Sequence, residues 1–273
     1  MIKKIAQYVF IILTGIILVF IIWWIAQTPS NNRDWNLDQA ILPYADIEGN
    51  NIHIHNIRNF SYASTTSYTE AYYDKTIDLS KLERIWFVME PFAGINGAAH
   101  TFLSFEFEKN EFVAISIEIR KEKGESFSAV KGLFNQYELM YVIADERDVV
   151  KLRSNFRKDQ VYVYPIKTTK ERAKAVFLSM IERANMLKEK PEFYNTIYNT
   201  CTTNILRHAN EIVPGRIPFR LEVLLPANSD RLAYELGLID TTLSFEEARK
   251  KFLINDHALK YADSPDFSVK IRQ

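Results

Sequence analysis

Three side chains in this 273-residue chain are of a type and spacing to do covalent chemistry: Cys201, His100 and Glu118. Cys201 is the only cysteine, and it lies in the stretch Tyr198-Asn199-Thr200-Cys201-Thr202-Thr203-Asn204-Ile205-Leu206. The apolar spacing of Ile197, Cys201, Ile205 and Leu206 predicts the start of a helix, with Asn199 or Thr200 as its N-cap. A sulfur in the first helical turn sits among unpaired backbone N–H groups at the positive end of the helix dipole, which favours thiolate over thiol. A thiolate is a nucleophile. A lone cysteine more commonly serves as a small buried hydrophobe, so a catalytic reading needs a base supplied from elsewhere in the chain.

His100 supplies one. It heads the run His100-Thr101-Phe102-Leu103-Ser104-Phe105-Glu106-Phe107, whose alternation predicts a strand with Thr101, Leu103, Phe105 and Phe107 on one face. Phe112 to Arg120 alternates as well, with Val113, Ile115, Ile117 and Ile119 facing one way and Ala114, Ser116, Glu118 and Arg120 the other. Matching the apolar faces, Leu103 opposite Ile115 and Phe105 opposite Val113, requires an odd-length hairpin loop, Glu108-Lys109-Asn110, with Asn110 left-handed. That register sets Glu118 opposite His100, where it could orient the imidazole and stabilise its protonated form as the third member of a triad.

The elements that must position these groups follow from the same reading. Glu83 to Glu90 is a buried strand ended by Pro91, and the small residues Gly94 to Ala99 form a permissive loop that delivers the chain to His100. Tyr137–Ala144 and Val161–Ile166 read as further strands, and Asn51–Phe60 as another. On that strand His53 and His55 share a face; with no companion cluster nearby they read as surface or packing histidines, and no metal or cofactor is called for. Ser61 to Tyr73 reads as a loop or loosely packed helix, and Lys121 to Gly132 as a loop over the sheet. The run Asp145-Glu146-Arg147-Asp148, with Arg153, reads as a solvated helix face or, alternatively, a headgroup-binding patch. Thr168-x-x-Glu171 opens a helix to about Lys188, and Ser244-x-x-Glu247 caps a last one to about Phe252.

Ile5 to Ile25 is uncharged and almost wholly apolar, the length of a membrane-spanning helix. Lys3 and Lys4 before it predict a cytoplasmic N-terminus and an outward-facing domain, with Trp23 and Trp24 at the interface. Trp24 stands where a cleavage site would want a small residue, so the segment reads as an uncleaved anchor rather than a signal peptide. An unpaired cysteine in an exported chain is intermolecular or reactive. The formal net charge is zero with no block of one sign, which excludes a nucleic-acid footprint. The expected organisation is residues 1–27 as N-terminus and transmembrane anchor, 28–34 as linker, 35–254 as the periplasmic domain, and 255–273 as a polar tail lying on the surface or mobile.

Asn56–Tyr62, Gly97–Phe105, Ser116–Arg120, Asp145–Asp148 with Arg153, and Tyr198–Thr203, taken in this order, resemble the Lnb N-terminal periplasmic domain family. The resemblance spans most of residues 35 to 210. It implies an α+β fold, a permuted papain-like (NlpC/P60-like) domain with an antiparallel sheet packed on helices, in which histidine precedes cysteine. It also implies a thiol acyltransferase: Cys201, deprotonated by His100, accepts a fatty acyl chain from a phospholipid as a thioester and passes it to the amine of a lipoprotein. The partners are then a membrane lipid as donor and a lipoprotein as acceptor. Transferases of the family continue into several further membrane helices, and no second apolar run follows in this sequence. The wider fold also accommodates a cell-envelope amidase or peptidase, and a non-catalytic envelope binding module is the reading from another class.

Overall fold

The computed structural model describes residues 2–273. Helix α1 (Ile2–Ala26) takes up the apolar run; it is long and apolar enough to cross a membrane, and none of its residues is buried. The linker that follows is strapped to the domain. Ser30 N–H donates to Glu138 Oε1, the Asn31 amide donates to the Leu187 and Lys188 carbonyls, and Arg33 pairs with Glu138 at 2.9 Å. Trp35 is buried just beyond it.

Ten strands follow: β1 (Tyr44–Glu48), β2 (Asn51–Arg58), β3 (Ser61–Tyr62), β4 (Tyr68–Thr69), β5 (Tyr72–Asp78), β6 (Leu82–Pro91), β7 (Ala99–Phe107), β8 (Glu111–Arg120), β9 (Glu138–Ala144) and β10 (Tyr162–Pro165). The segment expected to be loop or helix around Ser61–Tyr73 is instead a small β3–β4 pair and the start of β5. The main sheet runs β1-β2-β9-β8-β7-β6-β10, with β5 also on β2; its pairs are antiparallel except for a single β2–β9 contact at Arg58 and Ala144. The hairpin between β7 and β8 has the register that its apolar faces demand, Leu103 with Ile115 and Phe105 with Val113. Its loop is Glu108–Asn110, with both Lys109 (φ 62°) and Asn110 (φ 59°) left-handed.

Both faces of this sheet are covered, as near-continuous burial along β7, β8 and β9 requires. On one face Leu103, Phe105, Ile115, Ile117 and Ile143 pack against α4 (Lys170–Glu189) and α5 (Cys201–Ile212). The N-cap of α4 is Thr169, one residue later than the capping pattern suggested, because its hydroxyl accepts from Arg172 N–H. On the other face Val88, Phe102, Ala114 and Val142 meet Val149 and Val150 of α3 (Glu146–Lys151). The short helices α2 (Ala129–Leu133), α6 (Leu221–Leu224), α7 (Ser229–Glu235) and α8 (Phe245–Lys251) complete the middle of the chain. Ser244 and Glu247 form the expected capping box on α8.

Two expectations about polar segments are overturned. Residues 255–273 are no loose tail: α9 (Asn255–Lys260) and α10 (Phe267–Lys270) bury Ala258, Phe267 and Ile271 in the second core. Nor is the charged run at 145–148 a solvated face. Asp145 caps α3, Glu146 is fully buried against Ser104 and Arg272, and Asp148 is fully buried in a two-pronged pair with Arg58, both bonds 2.9 Å. Phe60 N–H and Tyr62 Oη also donate to Asp148, so its carboxylate ties β2 and β3 to α3.

Removing one partner of a buried pair leaves an uncompensated charge. Arg58→Met is expected to destabilise the fold by about 3–5 kcal/mol, measured by denaturant unfolding.

Candidate active site

Alternation along β7 and β8 brings the catalytic candidates together because the two strands part company. They pair from Phe107 and Glu111 up to Phe102 and Ser116; beyond that point β7 stays with β6 and β8 stays with β9. His100 and Glu118 flank the resulting gap. A cavity of about 520 Å³ opens there, lined by His100 and Glu118, by Cys201 and Thr200 from the start of α5, and by Arg153 and Tyr194. The two elements are fixed to each other by a hydrogen bond one residue along each, Thr101 Oγ1 to Thr202 Oγ1 at 3.0 Å.

Cys201 is the first residue of α5. Thr200 is its N-cap, and Thr200 and Thr203 form a reciprocal capping box. That box occupies the N–H of Thr203 and leaves the Cys201 N–H without an acceptor in the protein. The thiol is largely buried, at 7% exposure, and lines the cavity 3.7 Å from Thr202 Oγ1.

Around His100 the hydrogen bonds have a definite direction. Arg153 Nη2 donates to Glu118 Oε1 at 3.0 Å, and the Ser116 hydroxyl donates to the same oxygen at 2.8 Å. Its single proton spent, Ser116 Oγ must accept from His100 Nε2, 2.7 Å away. The imidazole therefore carries its proton on Nε2, and Nδ1 makes no hydrogen bond within the protein. Glu118 is placed beside the histidine as the register requires, but at 3.8 Å it does not bond to the ring directly; Ser116 stands between.

The charge on the ring is set by packing. Burial, and next the Arg153 guanidinium, pull the His100 pKa down to about 3, against the pull of Glu118 in the other direction. The ring is therefore neutral, the form in which an imidazole can accept a proton. Burial pushes the Glu118 carboxyl up, but Arg153, then His100, Arg58 and the Ser116 hydroxyl outweigh it and hold the group below the usual carboxylate range. Arg153 itself lies 3% exposed in a π-helical turn (Leu152–Arg157). Its Nε is 2.6 Å from Glu90, the cross-strand neighbour of His100 on β6, and its guanidinium covers the Phe102 ring. The guanidinium is thus enclosed by protein except where it lines the cavity.

Three residues of the site escaped the sequence reading. Ser116 shares its face with Glu118, a signal that was there to use. Arg153 was visible as part of a charge run and of a passage carrying the family resemblance but with no role assigned, and Tyr194 carries no sequence signal at all. Tyr194 is buried beside Cys201, and burial followed by that sulfur raises its phenol pKa; it reaches the cavity on a loop that crosses Gly132, where any side chain would strike Thr196.

The other histidines fall elsewhere. His208 is enclosed between Tyr141 Oη and Ser179 Oγ, both 2.7 Å away, with neither nitrogen free. His53 and His55 gain companions that adjacency in sequence did not reveal: Asp74 from β5 and Asp46 from β1 each lie 2.9 Å from a nitrogen of His55, and together raise its pKa. A separate, mainly apolar cavity of about 180 Å³ behind α5 is lined by neither cysteine nor histidine.

The family model of the Lnb N-terminal periplasmic domain matches residues 68–230, more than half of the chain and all of the cavity groups just described. The chain belongs to the Lnb N-terminal periplasmic domain family. With one helix among the described residues long and apolar enough to cross a membrane, this Lnb-family chain is a membrane-anchored protein bearing a periplasmic domain. No curated protein and no solved structure matches it.

Two outcomes are expected for this Lnb-family site. The His100 ring should stay neutral, with its proton on Nε2, from about pH 5 to about pH 8, read by nitrogen NMR; titration near 6.5 would contradict the packing described. Between pH 6.5 and about 3 the unfolded chain binds a proton that folded His100 refuses. Stability should therefore fall as pH drops through that window, and less steeply in His100→Asn, by denaturant titration at stepped pH.

Proposed function

We propose that the chain is a cysteine-dependent acyltransferase of permuted papain-like build, acting at the membrane on phospholipid and lipoprotein substrates. What supports the reading is the occupancy of one cavity by the sole thiol and by an imidazole whose tautomer leaves Nδ1 as the basic nitrogen.

In this mechanism Nδ1 of His100 takes the thiol proton as Cys201 Sγ attacks an ester carbonyl. The imidazolium so formed keeps its Nε2–H bond to Ser116, whose proton points to the Glu118 carboxylate, so the new charge meets a prearranged dipole and anion. Negative charge on the carbonyl oxygen is received by the free Cys201 N–H, with the Tyr194 hydroxyl as a second donor. The carbon–oxygen bond of the lipid ester breaks, the leaving alkoxide takes the proton from His100, and a thioester remains on Cys201. A primary amine then attacks the thioester, loses its proton to Nδ1, and expels the sulfur, which recovers that proton. Splitting the transfer makes each half easier, since thioesters acylate amines readily.

Full-length protein in detergent, given phospholipid with a radiolabelled acyl chain, is expected to acquire covalent label that neutral hydroxylamine removes. Cys201→Ala should acquire none, and His100→Ala should be labelled about 10²- to 10⁴-fold more slowly. Equal labelling of the Cys201 variant would end the proposal, and cleavage of a muropeptide amide without lipid would move the same dyad to the amidase class.

A further inference from the structure

The mouth of the Cys201 cavity carries exposed apolar side chains from separate segments of the chain, beside the polar Asp38, Asn96, Lys121 and Arg157. Ile95 lies on the β6–β7 loop, Phe127 just before α2, and Leu225 just after α6; all three line the cavity and all three are exposed. Val130 on α2 and Leu221 at the start of α6 extend the rim, with 63% and 65% exposure. The segments are held as a group. Phe92 stacks edge-on against Phe127 at 6.3 Å, Ala227 N–H donates to the Gly97 carbonyl, and Thr196 bonds through its N–H and hydroxyl to Gly132 and Ala129. Nothing among the described residues covers these tips, and clustered exposed apolar groups mark a surface that meets something other than water.

The anchor says what that is. Phe134, next after α2, packs its ring edge-on against Phe20 of α1, centroids 5.4 Å apart. Phe20 is six residues before the end of α1, which at the helical rise is about 9 Å inside the apolar span. The α2 corner of the domain therefore sits below the level at which the spanning helix ends, and the strapped linker from Ser30 to Arg33 holds it there. A surface at that depth lies at the boundary between headgroups and acyl chains.

We propose that Ile95, Phe127, Val130, Leu221 and Leu225 dock the domain onto the leaflet from which it emerges, so that the Cys201 cavity opens into lipid rather than into water. The lipid surface is the occupant of this rim. A substrate would then enter by lateral diffusion, with its ester at headgroup depth and its chains still in the bilayer.

The test uses the full-length chain in phosphatidylcholine–phosphatidylglycerol nanodiscs, with Cys201→Ala removing the only native thiol. Single cysteines placed at Phe127, Val130 or Leu221, and at Glu246 on α8 as a control, carry an environment-sensitive fluorophore. Rim probes are expected to shift to the blue and to be quenched several-fold more than the control by lipids bearing a nitroxide near the top of the acyl chain. In Ile95→Ser/Leu221→Ser, checked for native near-ultraviolet dichroism, quenching at residue 130 should fall toward the control. Equal quenching at rim and control would overturn the proposal. So would a blue shift without lipid quenching, which would assign the rim to a protein partner or a second copy of the chain. The readout does not use catalysis, so its failure and failure of the thiol chemistry can be told apart.

Discussion

The site depends on one buried cation. Arg153 lies inside the protein between Glu90 and Glu118, with its Nη1 bonded to the Val149 carbonyl of the preceding turn. A guanidinium in that position keeps Glu118 ionised, an ionised Glu118 accepts the Ser116 proton, and Ser116 then accepts from His100. A charge four groups away from the sulfur thus decides which imidazole nitrogen is basic. A lysine would not serve, because the planar fork is what lets a single side chain address two carboxylates and a carbonyl at once.

The second determinant is the parting of β7 from β8. Continued pairing would have closed the sheet over His100 and given the ladder more hydrogen bonds. Instead each strand follows its outer neighbour, and the opening becomes the cavity into which α5 delivers its first residue. The Thr101–Thr202 bond sits at the junction, on the opposite side of β7 from the imidazole. The positions of His100 and Cys201 are therefore set by regular elements and not by a loop, as the proposed chemistry would require of two groups held in register.

Much of this was readable in advance from local chemistry. The helix start at Cys201, the hairpin register from matched apolar faces and the position of Glu118 near His100 all follow from rules that act over a few residues. What was illegible depends on contacts distant in sequence. The run at 145–148 reads as solvated because nothing near it hints that Arg58, Ser104 and Arg272 converge on it. The direct Glu118–His100 contact was expected because the carboxylate was visible, and the interposed Ser116 and the enclosure of Arg153 were not; nor was the covering of the second sheet face by α3, α9 and α10, the last two built from a segment whose composition suggested a loose tail. The capping residue of α4 was missed by one position because two threonines stand side by side and only backbone geometry chooses between them.

The place of those last helices also constrains how the protein comes into being. Phe267 and Ile271 are part of the core beneath β7 and β8, and Arg272 neutralises the buried Glu146. A polypeptide emerging from the ribosome commits its first two dozen residues to the bilayer long before these are synthesised. The extramembrane portion therefore cannot close its second core until translation has reached Arg272.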